Sequence, residues 1–326
     1  MLNRIAKSTN LTKRTQDSIK KNKRIIKRRR AAGTLELTML ALPSILFVFV
    51  FNYVPLYGLI LPFKNYNIGL GLLKSPWAGL ENFEFLLTSD VLWTITRNTV
   101  FMNALFFTFN TIFSVTLALL LFELTKKFVK FYQTVFFFPY FMSWVIVSYI
   151  VAGFLESERG VLNKFLEIFG IAEIQWYNDP KYWPFILVTV YVWKMAGYGA
   201  VIYYAGLIGI DREYYESSLI DGASKLQQVR YISIPLITPL IIVVNLMAIG
   251  RIFYGDFGLF YNVPKDIPFL YPATDVIDTY VYRALRQLGD IGMSSAAGLY
   301  QSVCGFILIF FTNLVVKKIN PDNALF

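Results

Sequence analysis

Three charged side chains stand where an apolar chain tolerates them least. Lys194, Arg251 and Asp256 fall within or beside long hydrophobic runs, accompanied by Tyr198 and Tyr254. An ion in hydrocarbon is costly unless it faces a cavity or a partner, so such positions are candidates for a polar pathway. Two arrangements satisfy them. In one, the cations, the acid and the tyrosines face a cargo or a partner protein, and an acidic cargo suits the two cations. In the other, Lys194 snorkels or bonds a backbone carbonyl, and Arg251 pairs with Asp256.

A second functional stretch is polar and lies between two apolar runs. It is Asp211–Pro235, DREYYESSLIDGASKLQQVRYISIP. Asp211 can cap a helix from Arg212 to Ile220, because its carboxylate accepts free first-turn N–H groups. Tyr215 and Leu219 fall one turn apart on that helix. Asp221-Gly222 is a stop, since glycine takes a positive φ without a Cβ clash. Ser224 can cap a second short helix to about Tyr231, and Pro235 marks entry into the next apolar run.

Arrangements for covalent catalysis are sparse. The chain has no histidine, which excludes histidine bases and histidine metal sites. The single cysteine, Cys304, lies in an apolar run, permits no internal disulfide and reads as a small packing residue. Acidic pairs are scattered (Glu156 and Glu158, Asp275 and Asp278, Glu213 and Glu216), whereas glycosyl or phosphoryl transfer needs converging acids or a metal. No G-x-x-x-x-G-K-[ST] occurs, so nucleotide phosphates have no cradle of that kind here.

The elements that must position these residues are membrane spans. Of 326 residues, 56% are apolar and only 16% charged, below the roughly 25% charge of a soluble domain. Six apolar stretches approach the ~20 residues that cross hydrocarbon. They lie at about Leu37–Pro62, Thr99–Leu124, Phe131–Leu155, Trp183–Ile208, Ile234–Phe257 and Ser294–Val316. Lys194 is then roughly 16 Å deep in the fourth, at 1.5 Å per residue.

The net charge of +10 comes largely from a tail, not from a nucleic-acid surface: twelve of 31 Lys and Arg residues lie in the first 30 positions. With that tail inside, the inner side holds 20 of the 31 and the outer loops nine. The positive-inside rule therefore puts both termini, and Asp211–Pro235, in the cytoplasm. The expected organisation is a basic cytoplasmic tail at 1–34, a six-helix domain at 35–319 and a short cytoplasmic tail at 320–326. The tail has no apolar core with a cleavage site, as a secretory signal would. Trp77, Trp176, Tyr177, Tyr182 and Trp183 in the outer loops read as interface anchors, or as contacts for an external protein or a sugar face.

Taken as spacing, the polar stretch is Glu216-Ser217-Ser218, three residues, Gly222, nine residues, then Ile232-Ser233-Ile234-Pro235. This resembles the EAA loop of permease subunits of bacterial ABC importers, with serines for both alanines and Ile234 for the leucine. Further segments resemble the carbohydrate-uptake branch of type I importers, especially permeases for oligosaccharides and polysaccharide fragments. They are Gly79-Leu80-Glu81-Asn82-Phe83, Arg97-Asn98-Thr99, Phe138-Pro139-Tyr140-Phe141-Met142-Ser143-Trp144, Gly160-Val161-Leu162-Asn163 and Asp275 through Arg283.

The resemblance implies an all-α membrane protein: a six-transmembrane-helix type I ABC importer permease with a cytoplasmic coupling-helix loop. It would lie in the bacterial plasma membrane beside a second permease, expected to be a different chain. Two cytoplasmic ATPases and an extracellular solute-binding protein would complete the importer, and nucleic acid has no part. ATP and magnesium would bind the ATPases, leaving this chain without a cofactor. Tyr215, Glu216, Ser217, Ser218, Leu219, Ile220, Asp221, Gly222, Ala223 and Pro235 would couple to the ATPase. Tyr215, Leu219 and Ile220 would supply apolar contacts in its groove. Lys194, Tyr198, Arg251, Tyr254 and Asp256 would line the path. The alternatives are the same architecture with a peptide or phosphate-ester cargo, or an integral membrane enzyme.

Overall fold

The computed structural model describes residues 37–158 and 160–319, so the tails at 1–34 and 320–326 lie outside the described residues. The chain divides into two compact units, Met1–Ile60 and Leu61–Phe326. The first contains most of the apolar helix α1 (Leu37–Phe63). Its turn widens at Phe49–Tyr53, where the Val54 N–H reaches back to the Phe49 carbonyl. Pro55 follows directly, and its missing N–H and bulky ring are what a regular turn could not absorb.

In the second unit the long helices are α2 (Asp90–Phe122), α3 (Lys126–Phe141), α4 (Trp144–Leu155), α5 (Trp183–Ile208), α6 (Arg212–Ile220) and α7 (Lys225–Ile249). Then come α8 (Phe257–Asn262), α9 (Ile277–Arg286) and α10 (Ile291–Ile319). No strand occurs among the described residues, where the only β-type pairing is an isolated bridge between Lys64 and Trp77. Five helices are long and apolar enough to cross a bilayer, and the bent pair α3–α4 makes a sixth span if it counts as one.

Two expected spans are broken. The third bends by 98° between α3 and α4. Pro139 cannot continue the hydrogen-bond ladder, and Ser143 starts α4 afresh by accepting the Ile146 N–H at 3.3 Å. The fifth starts earlier and stops sooner than expected. Its helix already begins at Lys225, so Ser224 caps the span itself rather than a separate short helix. Pro235 is absorbed by a widened turn at Val229–Ser233, with the Ile234 N–H on the Val229 carbonyl, as before Pro55. The helix ends at Ile249, and an irregular segment leads to α8.

Helix α5 is the centre of the unit. Half of its apolar stretch is buried, against 22% for α2 and 17% for α7 and α10. Small residues permit this: a Cβ on Gly197 would overlap the Phe136 carbonyl, and one on Gly199 would overlap Ser114. Ser114 Oγ in turn donates to the Ala196 carbonyl at 3.1 Å.

The larger core joins Met102 and Phe106 of α2, Val147 and Val151 of α4, Leu187 of α5 and Leu259 and Phe260 of α8. Trp176 and Trp183 belong to it, which corrects their reading as interface anchors. Trp183 is fully buried and donates from Nε1 to the Trp176 carbonyl at 2.8 Å, while Trp176 Nε1 donates to Asn163 Oδ1 at 2.9 Å. Their ring N–H groups found partners within the chain, so they do not need the interface. Trp77 does remain exposed, with Lys64 over its ring.

The close approach at Gly197 yields a test. Gly197→Val should force α5 off α3 and cost about 1–3 kcal/mol, as overpacking does. Gly298→Ala, whose Cβ meets open space, should leave the melting temperature of the detergent-solubilised protein nearly unchanged. Equal melting temperatures for both variants would mean that the α3–α5 contact is not tight.

Candidate functional site

The Asp211–Pro235 stretch folds as a braced, bent helix pair. Asp211 caps α6 by accepting the Glu213 N–H at 3.1 Å. Gly222 makes the turn with φ +78°, a backbone that side chains with a Cβ rarely adopt. Ser224 and Gln227 form a reciprocal capping box at the start of α7. Gln228 is buried between the two helices and donates from Nε2 to Ser218 Oγ at 2.9 Å and to the Tyr215 carbonyl at 3.3 Å. Lys225 pairs with Glu123 at the end of α2, an exposed bridge of small energetic weight.

Tyr215 and Leu219 do not share an outward face. Tyr215 turns inward, where its hydroxyl pairs with Ser233 at 3.0 Å and its ring lies 5.5 Å from that of Phe122. Ser218 faces the brace, and Ala223 is half-buried. Glu216, Ser217, Leu219, Ile220, Asp221 and Pro235 are exposed, Ile220 at 87%. Leu226 of α7 joins them at 77%. The loop thus offers a small apolar patch rimmed by acids, on a support that is hydrogen-bonded from behind.

The charges in the spans gather at the two helix breaks. Lys194 Nζ donates to the Tyr140 carbonyl at 2.8 Å, a group freed by the bend between α3 and α4. Its ammonium also lies 5.4 Å from the Tyr140 ring and 5.0 Å from the Trp144 ring, within cation–π range. Tyr140 stacks on Tyr198 at 4.7 Å and on Phe137 at 5.4 Å, giving an aromatic ladder whose Tyr198 end is exposed. Trp144 Nε1 donates to Asp256 Oδ2 at 2.8 Å, while Asp256 Oδ1 caps α8 through the Leu259 N–H at 3.2 Å. Lys194, Tyr198 and Asp256 are therefore one constellation, joined by Tyr140 and Trp144.

Arg251 is not part of it. The carboxylate of Asp256 is taken by Trp144 and the helix cap, and Arg251 is exposed with no ion pair among the described residues. Tyr254 stands on the other flank, with its hydroxyl 3.2 Å from Ser302 Oγ of α10.

An ionic cluster stabilises the region between α8 and α9. Arg283 of α9 bonds Asp266 at 2.8 Å and also Asp275, and its guanidinium lies 4.1 Å from the Tyr271 ring centroid. Asp266 and Lys265 both have positive φ, 49° and 58°, conformations that cost about 1–3 kcal/mol each and need such fixing. Burial raises the Asp275 carboxyl above its ordinary range, and Arg283 opposes that rise. The acidic pairs remain apart: Asp275 belongs to this cluster, Asp278 bonds the Gly255 N–H, and Glu156 and Glu158 line a separate surface pocket with Lys265. Among the described residues no group of acids and cysteine could hold a metal.

Amides are what the sequence reading passed over. Asn98, Asn103 and Gln301 are buried in α2 and α10 and donate to backbone carbonyls of the irregular segments. The signal was available, since an amide inside an apolar run is costly for the same reason as a charge.

Residues 26–321 match the family described as binding-protein-dependent transport system inner membrane component. Protein LplB of Bacillus subtilis (strain 168) is 32% identical over 288 residues, covering 88% of this chain and 90% of that protein. The polygalacturonan/rhamnogalacturonan transport system permease protein YteP of the same organism is 31% identical, covering 88% and 89%. A chain in the crystal structure of a bacterial ABC transporter involved in import of the acidic polysaccharide alginate superposes with a TM-score of 0.79 at 30% identity. The match covers 87% of this chain and 96% of that one.

Gln228 gives this site its own test. Gln228→Leu keeps the volume but leaves the Tyr215 carbonyl and Ser218 Oγ without their donor, a cost of about 1–3 kcal/mol. Trypsin cleavage at Lys225 in detergent should accelerate and the melting temperature should fall. An unchanged digestion rate would show that the two helices do not depend on this brace.

Proposed function

This chain belongs to the family of binding-protein-dependent transport system inner membrane components, and on that premise we propose that it is the sugar-conducting permease of an ABC importer that carries oligosaccharides inward. The relatives named for polygalacturonan and rhamnogalacturonan transport and for alginate import support a cargo of polysaccharide fragments, acidic ones included. ATP is hydrolysed on separate cytoplasmic subunits, which hold the nucleotide and magnesium. A second permease, a different chain, completes the pathway, and an external binding protein delivers the sugar. Both termini and the α6–α7 loop face the cytoplasm.

The observation that carries the coupling role is the braced helix pair with Leu219, Ile220 and Leu226 exposed together. An apolar patch on a polar loop is costly in water unless a partner covers it. The α6–α7 pair docks in a groove of the ATPase, Glu216 makes a polar contact at its edge, and Gly222 sets the angle between the helices. When ATP draws the two ATPases together, the docked loops follow and the spans rotate as rigid bodies between inward- and outward-open states.

Within the pathway the exposed ring of Tyr198, with Tyr254, offers flat apolar faces to the sugar, as aromatic side chains do. Arg251 is the cation free to meet a uronate carboxylate. Lys194 serves differently: the residue is 6% exposed and its ammonium is committed to the Tyr140 carbonyl, so it fixes the aromatic ladder against Trp144 and Asp256.

Two experiments test these roles in reconstituted importer. Gly222→Val puts a β-branched residue at positive φ, a strain of about 1–2 kcal/mol or more, and Glu216→Lys reverses the edge charge. Both should abolish uptake while membrane insertion stays normal, and wild-type uptake by both would remove the loop from the mechanism. Arg251→Met should lower uptake of an acidic pentasaccharide about tenfold more than that of a neutral one, whereas Lys194→Met should lower both alike. Equal losses of the two sugars in Arg251→Met would refute charge recognition there.

A further inference from the structure

Between α7 and α8 the backbone leaves helical geometry, and side chains of three other helices take up four of its polar groups. Asn103 Nδ2 of α2 donates to the Ile252 carbonyl at 2.8 Å and to the Tyr254 carbonyl at 3.2 Å. Gln301 Nε2 of α10 donates to the Phe253 carbonyl at 2.6 Å. The Gly255 N–H donates to Asp278 Oδ2 of α9 at 2.6 Å, and the same oxygen accepts Gln301 Nε2 at 3.0 Å. Three consecutive carbonyls and the following N–H are thus held from three different helices. Gly255 fits because a Cβ there would press on Val276 and Asp278 at 3.0–3.1 Å.

This wiring exceeds what stability requires. An apolar helix continued through the same residues would satisfy its own backbone at no cost in side chains. Asp278, in addition, is a partly buried carboxylate with no ion pair among the described residues, and burial raises its carboxyl above the ordinary range. The residues set in place by the wiring are Arg251 and Tyr254, both exposed and both on the irregular segment.

We propose that Asn103, Asp278 and Gln301 are positioning residues for transport: they clamp the irregular Ile252–Gly255 backbone so that Arg251 and Tyr254 face the sugar path. The proposal rests on the pathway reading given above for those two side chains. Because each anchor rides on its own helix, relative movement of α2, α9 and α10 alters the clamp, and the segment changes state with the bundle. Asp278 acts as the acceptor that ties α10 to the segment, since the same oxygen accepts the Gly255 N–H and Gln301 Nε2.

The test uses the complete importer in proteoliposomes, with Cys304→Ser and a reporter thiol from Tyr254→Cys. Labelling by a membrane-impermeant maleimide is timed without nucleotide and after trapping with ATP and vanadate. In the otherwise unaltered importer the rate should differ at least fivefold between the two states. Asp278→Asn and Gln301→Leu should each shrink that difference below twofold, and Asp278→Glu, which keeps the acceptor, should restore it. All variants are first compared for assembly with the partner subunits, and one that fails to assemble is replaced by Asn103→Ser.

The outcomes separate the two ideas. Should the reporter label equally in both states of the unaltered importer, Tyr254 does not line an alternating path and the pathway reading fails. Should it respond in the unaltered importer and respond identically in Asp278→Asn and Gln301→Leu, the clamp is overturned while the pathway reading stands.

Discussion

A peptide group in hydrocarbon has no water to bond, so the chain can leave helical geometry only where other protein groups satisfy it. That constraint explains where several buried polar side chains are found. At the bend between α3 and α4, the Tyr140 carbonyl is taken by Lys194. At the break between α7 and α8, three carbonyls are taken by Asn103 and Gln301, and an N–H by Asp278. The prolines at 55 and 235 obey the same rule more cheaply, through a widened turn that ends just before each ring. An unmatched peptide group would cost several kcal/mol, so each of these side chains outweighs its own awkwardness in an apolar setting.

The α6–α7 loop meets a different constraint, that two short helices joined by a tight turn keep a fixed angle. Here the turn at Gly222 is short, the two helices are capped by Asp211 and Ser224, and Gln228 fills the angle between them. Tyr215 adds a hydroxyl contact to Ser233 and a ring contact to Phe122, which carries the brace to α2. The exposed Leu219 and Ile220 are therefore attached to the bundle through packed side chains.

Much of this was legible in the sequence, for identifiable reasons. The caps at Asp211 and Ser224 and the turn at Gly222 depend on local backbone chemistry, and local chemistry is what a short stretch encodes. Helix α5 was placed at Trp183–Ile208 because an apolar run bounded by prolines and a polar loop has unambiguous ends. Tertiary partners were not legible. Trp176 and Trp183 read as interface anchors until Asn163 and the Trp176 carbonyl were found beneath them. Tyr215 read as outward-facing because Ser233, eighteen residues away, could not be seen as its partner. The fifth span was drawn too long at its C-terminal end because hydropathy does not register a break whose polar groups are satisfied from other helices. Attention to buried amides alongside charges would have found Asn98, Asn103 and Gln301.

The two breaks are also tied to each other, and this bears on where movement is concentrated. Trp144, the first residue of α4, donates to Asp256, the cap of α8, and its ring lies against Gly258 where a Cβ would overlap it. The Lys194 ammonium of α5 lies 5.0 Å from the centroid of the same ring. Helix α5 is the most buried span and packs by backbone approach at Gly197 and Gly199, an arrangement that small displacements would penalise. Rearrangement costs least where helices are already interrupted and their exposed groups are held by exchangeable hydrogen bonds rather than by packing. The Ile252–Gly255 segment, held by Asn103, Gln301 and Asp278, comes nearest to that condition. The two breaks thus converge on one cluster of charged and aromatic side chains, Lys194, Tyr140, Trp144 and Asp256.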